Sequence, residues 1–525
     1  MPADRLHSLE PATGAVLGSV WQTSPPDVAD VVAEVRDVQP LWALLRLADR
    51  ARYVRRVAQA VIDEFDELVE LLAREQGRPR SEVATLELLP AIDALVWIAD
   101  EGPSVLAGER LGVNRSMFPL KRARLAYEPV GVVGVIGAGS APFAQPLGQI
   151  AGALLAGDGV VLKPAPRACL AGERIGRVLA RAGLPEGLAR VIHGGAPVGV
   201  ALAEAPVDKV LFTGAAPTGR EVARACVAKD REVTLELGGK DAMLVLSDAD
   251  VTRTVAGALW AGFAGAGQAR GAVERVYVAA ELADRFIAEL ADGAARLRVG
   301  DPLHSATQVG PLASQRRSDR VLELVQDAVA HGARLHCGGP LRSAALGGAF
   351  FAPAVLSGVK TDMRLMREPV GGPVLAVMSV DSTAQAIVLA NDGAHALGAS
   401  VWTADRPQGE RIARELRAGM VWINDHLPAP AVSQGPWGAA AGAGLGRTLG
   451  HAGLRAAAQE KLITWDPPGP RGLWWGPYDD TLLRAARTVA ELRSARDSDR
   501  RRAWRHGTGA LARVGSRVLA RRSAR

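Results

Sequence analysis

The sequence predicts an α/β protein built on a doubly wound parallel sheet, with a second α/β domain following it. Three observations carry this. From Val130 to Leu237, short apolar runs of strand length alternate with helical patterns, as in successive βαβ units. Glycine-rich turns follow two of those runs, at Gly137-Ala-Gly139 and at Gly214-Ala-Ala-Pro-Thr-Gly219. After Asp241 the alternation resumes, less regularly, and continues to Asn424. Ligands of such sheets sit at the carboxyl ends of the strands, beside the point where strand order reverses.

Composition sets the bounds. A chain of 525 residues suggests two or three domains, and 48 % hydrophobic with 22 % charged residues suits a soluble globular protein. The opening residues Met1–His7 carry no apolar core, so no secretory signal is expected, and no uncharged apolar run approaches membrane-spanning length. Cys169, Cys226 and Cys337 are too few and too scattered for a disulfide framework or a thiolate metal site, so a reducing, cytoplasmic setting and no metal are expected. The formal charge of +6 resides in the tail. Residues 496–525 hold ten Arg against Asp497 and Asp499, which leaves the rest of the chain slightly acidic.

The elements follow in order. Leu6 to Val20 reads as extended chain turning at Pro11-Ala-Thr-Gly14. In 52–74, Val54, Val57, Val61, Phe65, Leu68 and Leu72 recur at helical steps, and Gly77 with Pro79 ends that helix. Arg115–Pro129 is strand-like. Val130–Ile136 is a buried strand leading into a helix over 144–156 with Pro146 in its first turn. Strands are expected at 160–162, 190–192, 209–213 and 233–237, with helices at 171–182, 197–204 and 218–229 between them. Beyond Asp241 come strands at 242–246, 273–278, 351–356, 373–380, 396–402 and 420–424. The helices of that half are expected at 251–264, 282–297, 315–331 and 406–417. Pro467-Pro-Gly-Pro470 reads as a linker, followed by helical patterns at 481–496 and 511–519.

Several motifs carry chemistry. Gly137-Ala-Gly139 lacks the third glycine of a dinucleotide fingerprint, because position 142 is Pro. Glu236-Leu-Gly-Gly-Lys240 ends a strand, and Phe263-Ala-Gly-Ala-Gly-Gln-Ala-Arg-Gly271 runs from a helix through a glycine turn into the strand Arg275-Val-Tyr-Val278. With Val161-Leu-Lys163-Pro164, Phe212-Thr-Gly214, Glu368-Pro-Val-Gly-Gly-Pro373 and Gln434-Gly-Pro-Trp-Gly438, this order of motifs resembles the aldehyde dehydrogenase superfamily over residues 6–465.

The resemblance implies NAD or NADP as cofactor, with Lys163 on the adenosine ribose and Gly214 and Gly219 at the pyrophosphate turn. Leu237 and Gly238 are expected to line the cofactor side of the Glu236 motif. It implies domains at 1–113 with 130–238 (NAD(P)-binding type) and 239–434 (catalytic type). An oligomerisation arm is implied at 114–129 with 454–466, and a basic tail at 467–525. The arm implies a homo-dimer or tetramer; read without the family, Arg115–Pro129 reads first as a solvated hairpin.

The reaction centre departs from the family pattern. Glu236 stands at the general-base position, but the nucleophilic cysteine is replaced by Arg270 and the oxyanion asparagine by Ser140. The ribose-binding glutamates become Pro166 and Pro369, and a phenylalanine near the nicotinamide becomes Gly371. A guanidinium is permanently protonated and only donates, so it cannot attack a carbonyl. Losing one oxyanion donor typically costs about 2.7–4 kcal/mol in the transition state. A buried Arg270 near Glu236 is expected to pair with it. Three functions stay open: a catalytically inactive family member, an active NAD(P)-dependent aldehyde oxidoreductase of atypical mechanism, and a protein acting through its tail. The tail reads as a solvated arm, as a cationic amphipathic helix on an anionic membrane surface, or, least in keeping with its sequence, as a nucleic-acid binder.

Overall fold

The computed structural model describes residues 5–519 apart from 116–117, 119, 342–346, 428–431, 467–471, 473 and 476, so the linker expected at 467–470 lies outside the described residues. By its contacts the chain divides into two compact units, Met1–Leu106 with Glu128–Gln459, and Ala107–Tyr127 with Glu460–Arg525. Among the described residues no helix is long and apolar enough to cross a membrane.

The first unit contains two sheets. One has six strands in the order Gly444–Leu445, Glu232–Leu237, Lys209–Gly214, Val132–Ile136, Gly159–Lys163, Ala189–Val191. All neighbours are parallel except Gly444–Leu445, which runs antiparallel. Strand order reverses between Val132–Ile136 and Lys209–Gly214, so the crevice expected of a doubly wound sheet opens beyond Ile136 and Gly214. Val132–Ile136 and Gly159–Lys163 are buried along their whole length, which explains their unbroken apolar sequence. Val28, Val32 and Val35 of helix Val28–Ala43 pack on this sheet.

The other sheet has seven strands in the order Arg334–Pro340, Phe351–Ser357, Val374–Val380, Val273–Ala279, Asp241–Val245, Gly398–Trp402, Met420–Ile423. It is parallel except at Arg334–Pro340. Alternate residues serve opposite faces: Leu244 and Tyr277 join one core, while Met243, Val245, Val276 and Val278 join the other.

The second unit carries a three-stranded sheet ordered Ala458–Trp465, Arg122–Pro129, Glu109–Leu111. Lys121 Nζ bonds Asp466 at 2.6 Å, and the Arg122 guanidinium lies 5.3 Å from the Trp465 ring centroid. Helices Asp480–Glu491 and Thr508–Leu519 pair through Leu482, Ala485, Ala510 and Val514. Asp479 caps the first helix and receives Arg517 at 2.6 Å; the guanidinium holds its carboxyl down at about 2.

Helix Val28–Ala43 and strand Arg334–Pro340 add to the expected elements, and three of the expected ones differ. The helix anticipated over 52–74 is two, Leu47–Asp63 and Phe65–Gln76, broken where Glu64 leaves helical geometry at φ −103°, ψ 16°. The strand anticipated from Arg115 begins at Arg122. In the tail, Leu511 and Val514 belong to a core shared with helix Asp480–Glu491, because two amphipathic helices lose less by burying their stripes together than by leaving them in water. Those two positions are therefore not a free apolar face; the Val518 side chain and Arg521 lie outside the described residues.

Candidate functional site

Glu236 stands near the end of strand Glu232–Leu237, opposite Thr213 in one neighbouring strand and Gly444 in the other. Its side chain is 2 % exposed. Arg270 arrives from a different direction. Helix Val251–Phe263 ends in a tight turn over Ala264–Gly267 with positive φ at Gly265, Ala266 and Gly267. Gly267 is required twice over: its φ is +67°, and a Cβ there would stand 2.2 Å from the Gly372 carbonyl oxygen. Gln268 braces the turn, donating to the Gly265 carbonyl at 3.0 Å and accepting from the Ala313 N–H at 2.9 Å. His426 accepts no proton readily, since burial pushes it down to about 4, and its Nε2 donates to the Gly271 carbonyl at 2.8 Å.

The expected pair is present: Arg270 Nη2 bonds Glu236 Oε2, and the guanidinium lies 5.3 Å from the Trp437 ring centroid. Three further donors converge on the same carboxylate. Gln145 Nε2 also reaches Oε2, while Thr448 Oγ1 and, at 3.3 Å, Gln149 Nε2 reach Oε1. A carboxylate has about four lone-pair sites, and four donors fill them.

Glu236, Arg270 and Ser140 line one cavity, and the Ser140 carbonyl accepts from Arg78 Nη2 at 2.7 Å. Arg78 is itself buried between Glu82 at 3.5 Å and Glu87 at 3.3 Å, two carboxyls that burial raises above the usual range. None of the three cysteines lines the cavity. Burial pushes the Cys169 thiol up to about 11 and raises Cys226 and Cys337 as well, so none resembles an activated nucleophile.

Of the residues expected at the cofactor, Leu237 and Gly238 directly follow Glu236, while Lys163 and Gly214 end other strands of the same sheet. Lys163 is buried, its ammonium destabilised by burial to about 8, and it donates to the Pro164 carbonyl at 3.1 Å. Gly214 and Gly219 leave room for their own neighbours: an added Cβ would meet the Phe212 ring at 2.6 Å or Leu237 Cδ2 at 2.4 Å. Leu237 is buried and its N–H donates to the Ala443 carbonyl at 2.9 Å, while a Cβ on Gly238 would meet no atom within 4 Å. At Glu368–Pro373, Arg320 and Arg364 hold Glu368, and Arg317 Nη1 donates to the Gly371 carbonyl at 3.1 Å. Among the described residues no cluster of His, Cys, Asp and Glu could hold a metal ion.

A model described as the Aldehyde dehydrogenase family matches residues 2–463. The chain belongs to the aldehyde dehydrogenase family. A betaine aldehyde dehydrogenase of Sinorhizobium fredii is 33 % identical over 460 residues, 87 % of this chain and 93 % of that protein. A 4,4'-diapolycopene aldehyde oxidase of Methylomonas is 35 % identical over 449 residues, 86 % of this chain and 83 % of its own. Among solved structures, a Mycobacterium tuberculosis aldehyde dehydrogenase complexed with NAD+ superposes with a TM-score of 0.84 at 32 % identity, covering 88 % of this chain and 94 % of that one.

Within this aldehyde dehydrogenase-family chain, sequence reasoning found Glu236 and Arg270 but missed the residues that saturate Glu236. Gln145 and Gln149 offered a signal, two amides one turn apart on the otherwise apolar helix Ala144–Ala156. Thr448 offered none, because only tertiary folding brings it to Glu236.

Proposed function

We propose that this aldehyde dehydrogenase-family protein does not oxidise aldehydes by the covalent thioester route and acts through binding. One observation supports this most directly: at Glu236 the general-base carboxylate is paired with Arg270 and filled by Gln145, Gln149 and Thr448, with no thiol on the cavity wall. Thioester oxidation needs a thiolate nucleophile and then a base for water, and neither is offered here.

The residues around the strand reversal fit NAD(P) in part. Lys163, buried with only a carbonyl partner, suits a ribose hydroxyl on the adenosine side. On the nicotinamide side, Arg317 covers the Gly371 carbonyl and Glu368 is committed to Arg320 and Arg364. The fit therefore favours weak binding through the adenosine half. Relatives named as betaine aldehyde dehydrogenases support the alternative of an active NAD-linked oxidoreductase. The deciding assay offers the pure protein betaine aldehyde and an aliphatic aldehyde panel with NAD and with NADP. No reduced cofactor is expected; clear turnover refutes the inactive reading. Calorimetry should find ADP and NAD bound with similar affinity, and a tenfold preference for NAD would overturn the half-site reading.

A cytoplasmic setting is in keeping with three scattered, unpaired cysteines. The exposed Leu111, Leu462 and Trp465 of the three-stranded sheet support self-association into a dimer or tetramer. Light scattering of the purified protein tests this, and a monomer at micromolar concentration would refute it.

A further inference from the structure

Arg167 stands apart from the other guanidiniums near the strand ends. Among the described residues it makes no hydrogen bond and no ion pair. Its side chain nevertheless folds over the turn that follows strand Val132–Ile136. A Cβ on Gly139 would stand 2.2 Å from Arg167 Nε and 3.0 Å from Nη2. Arg167 and Gly139 both line a cavity of about 460 Å³, a volume usual for small-molecule sites, and Arg167 is exposed to it.

Like charges crowd this arginine. Desolvation and the guanidiniums of Arg317 and Arg78 depress it to about 10. Helix Gln315–Ala330, capped by Ser314, begins at the same cavity and adds the positive end of its dipole. The remaining charged groups of the walls are already committed. Glu75 accepts from Ser8 Oγ and from the Leu170 and Ala171 N–H groups, and burial raises it above the usual carboxylate range. Glu10 is held by Arg74, and Arg78 lies between Glu82 and Glu87. His7, the other titratable group of the walls, carries no negative charge. Arg167 is thus left without a counter-charge, in a positive potential that an anion would relieve.

A guanidinium presents a planar fork that matches the paired oxygens of an oxyanion, and a doubly charged group gains more from this potential than a carboxylate does. We propose that this cavity binds a phosphate group, held by Arg167 and by the N-terminal turn of helix Gln315–Ala330. The site does not depend on the state of Glu236, so aldehyde turnover would leave the proposal standing. Its phosphate comes either from a nucleotide seated beside Lys163 or from a separate phosphate ester.

Isothermal titration of the full chain with pyrophosphate, acetate, ADP and adenosine at constant ionic strength tests it. Pyrophosphate should bind saturably at or below about millimolar concentration, and acetate at least tenfold more weakly. Arg167→Gln should weaken pyrophosphate at least tenfold without lowering the melting temperature, because Arg167 makes no internal bond. Gly139→Ala keeps the charge but displaces the guanidinium, and should weaken pyrophosphate at least threefold. Ser314→Asp preserves a good helix cap while adding a negative charge, and should weaken it similarly. If Arg167→Gln loses affinity for ADP but not for adenosine, the nucleotide supplies the phosphate. Pyrophosphate binding that persists at saturating ADP identifies a separate ester instead. No pyrophosphate binding at several millimolar, or equal binding by Arg167→Gln and the unaltered chain, overturns the proposal.

Discussion

Replacing Arg270 by Met keeps most of the side-chain volume and removes the charge. Glu236 would then remain 2 % exposed with three neutral donors and no cation. Removing one partner of a buried ion pair typically costs about 3–5 kcal/mol, chiefly because a charge is left uncompensated. Glu236→Gln strands the guanidinium and should cost a similar amount. The double variant removes both charges and should cost only about 1 kcal/mol, because a buried pair replaced as a unit is often close to neutral. The cycle therefore predicts a coupling energy of several kcal/mol. With a urea dependence of roughly 3 kcal/mol per molar, each single variant should move the unfolding midpoint of this transition down by about 1–1.7 M, and the double variant by about a third of a molar. If Arg270→Met shifts the midpoint by less than about 0.3 M, or the double variant falls as far as the sum of the singles, the pair does not hold the site together and the account of Glu236 fails.

Other outcomes follow from the same geometry. Arg270→Cys should not restore measurable aldehyde oxidation with NAD or NADP, since Gln145, Gln149 and Thr448 still occupy Glu236; restored turnover would show that the arginine alone blocks chemistry. Gly267→Ala places a Cβ 2.2 Å from the Gly372 carbonyl at a φ of +67° and should destabilise by more than about 2 kcal/mol in urea unfolding, whereas a neutral result would mean the turn relaxes freely. Burial raises Asp241 to about 8 and depresses His426 to about 4. The folded state therefore holds an extra proton on Asp241 between about 4 and 8 and lacks one on His426 between about 4 and 6.5, relative to unfolded values. The two slopes oppose each other below about 6.5, leaving a net loss of stability as pH rises from about 6.5 to 8. Asp241→Asn should abolish that alkaline loss in thermal melts across this range, and an unchanged profile would refute the assignment. Val514→Glu should melt the helix pair of the second unit, seen as lost ellipticity and as proteolysis beyond residue 480, while unchanged protection would mean this small core contributes little.

The alternation of strands and helices was legible because it rests on local pattern. Buried parallel strands such as Val132–Ile136 must be apolar on both faces, and their connecting helices show one apolar stripe. The break at Glu64 was not legible, since apolar residues keep helical spacing straight through it. The Glu236–Arg270 pair could be anticipated from the demand of a buried guanidinium for a carboxylate. Its supporting donors could not, because Gln145 and Gln149 come from the helix after one strand and Thr448 from beyond another sheet. The tail showed the same limit. Leu511 and Val514 announce an amphipathic helix, but nothing local says that the partner is a helix of the same tail rather than a lipid surface.

The side chains at this centre make sense as one set. A glutamate buried at the end of strand Glu232–Leu237 needs compensation, whether or not it performs chemistry. Arg270 provides charge, and Gln145, Gln149 and Thr448 provide donors to every remaining lone pair. A site held for catalysis would leave one oxygen of such a carboxylate free to reach a water. Here the glycine turn at Gly265–Gly267, with its close approach to Gly372, delivers residue 270 to Glu236, and on the proposed reading the side chains around that carboxylate close it to water. The fold thus brings two charges together from separate elements, and their mutual compensation explains how both can stay buried at the end of this strand.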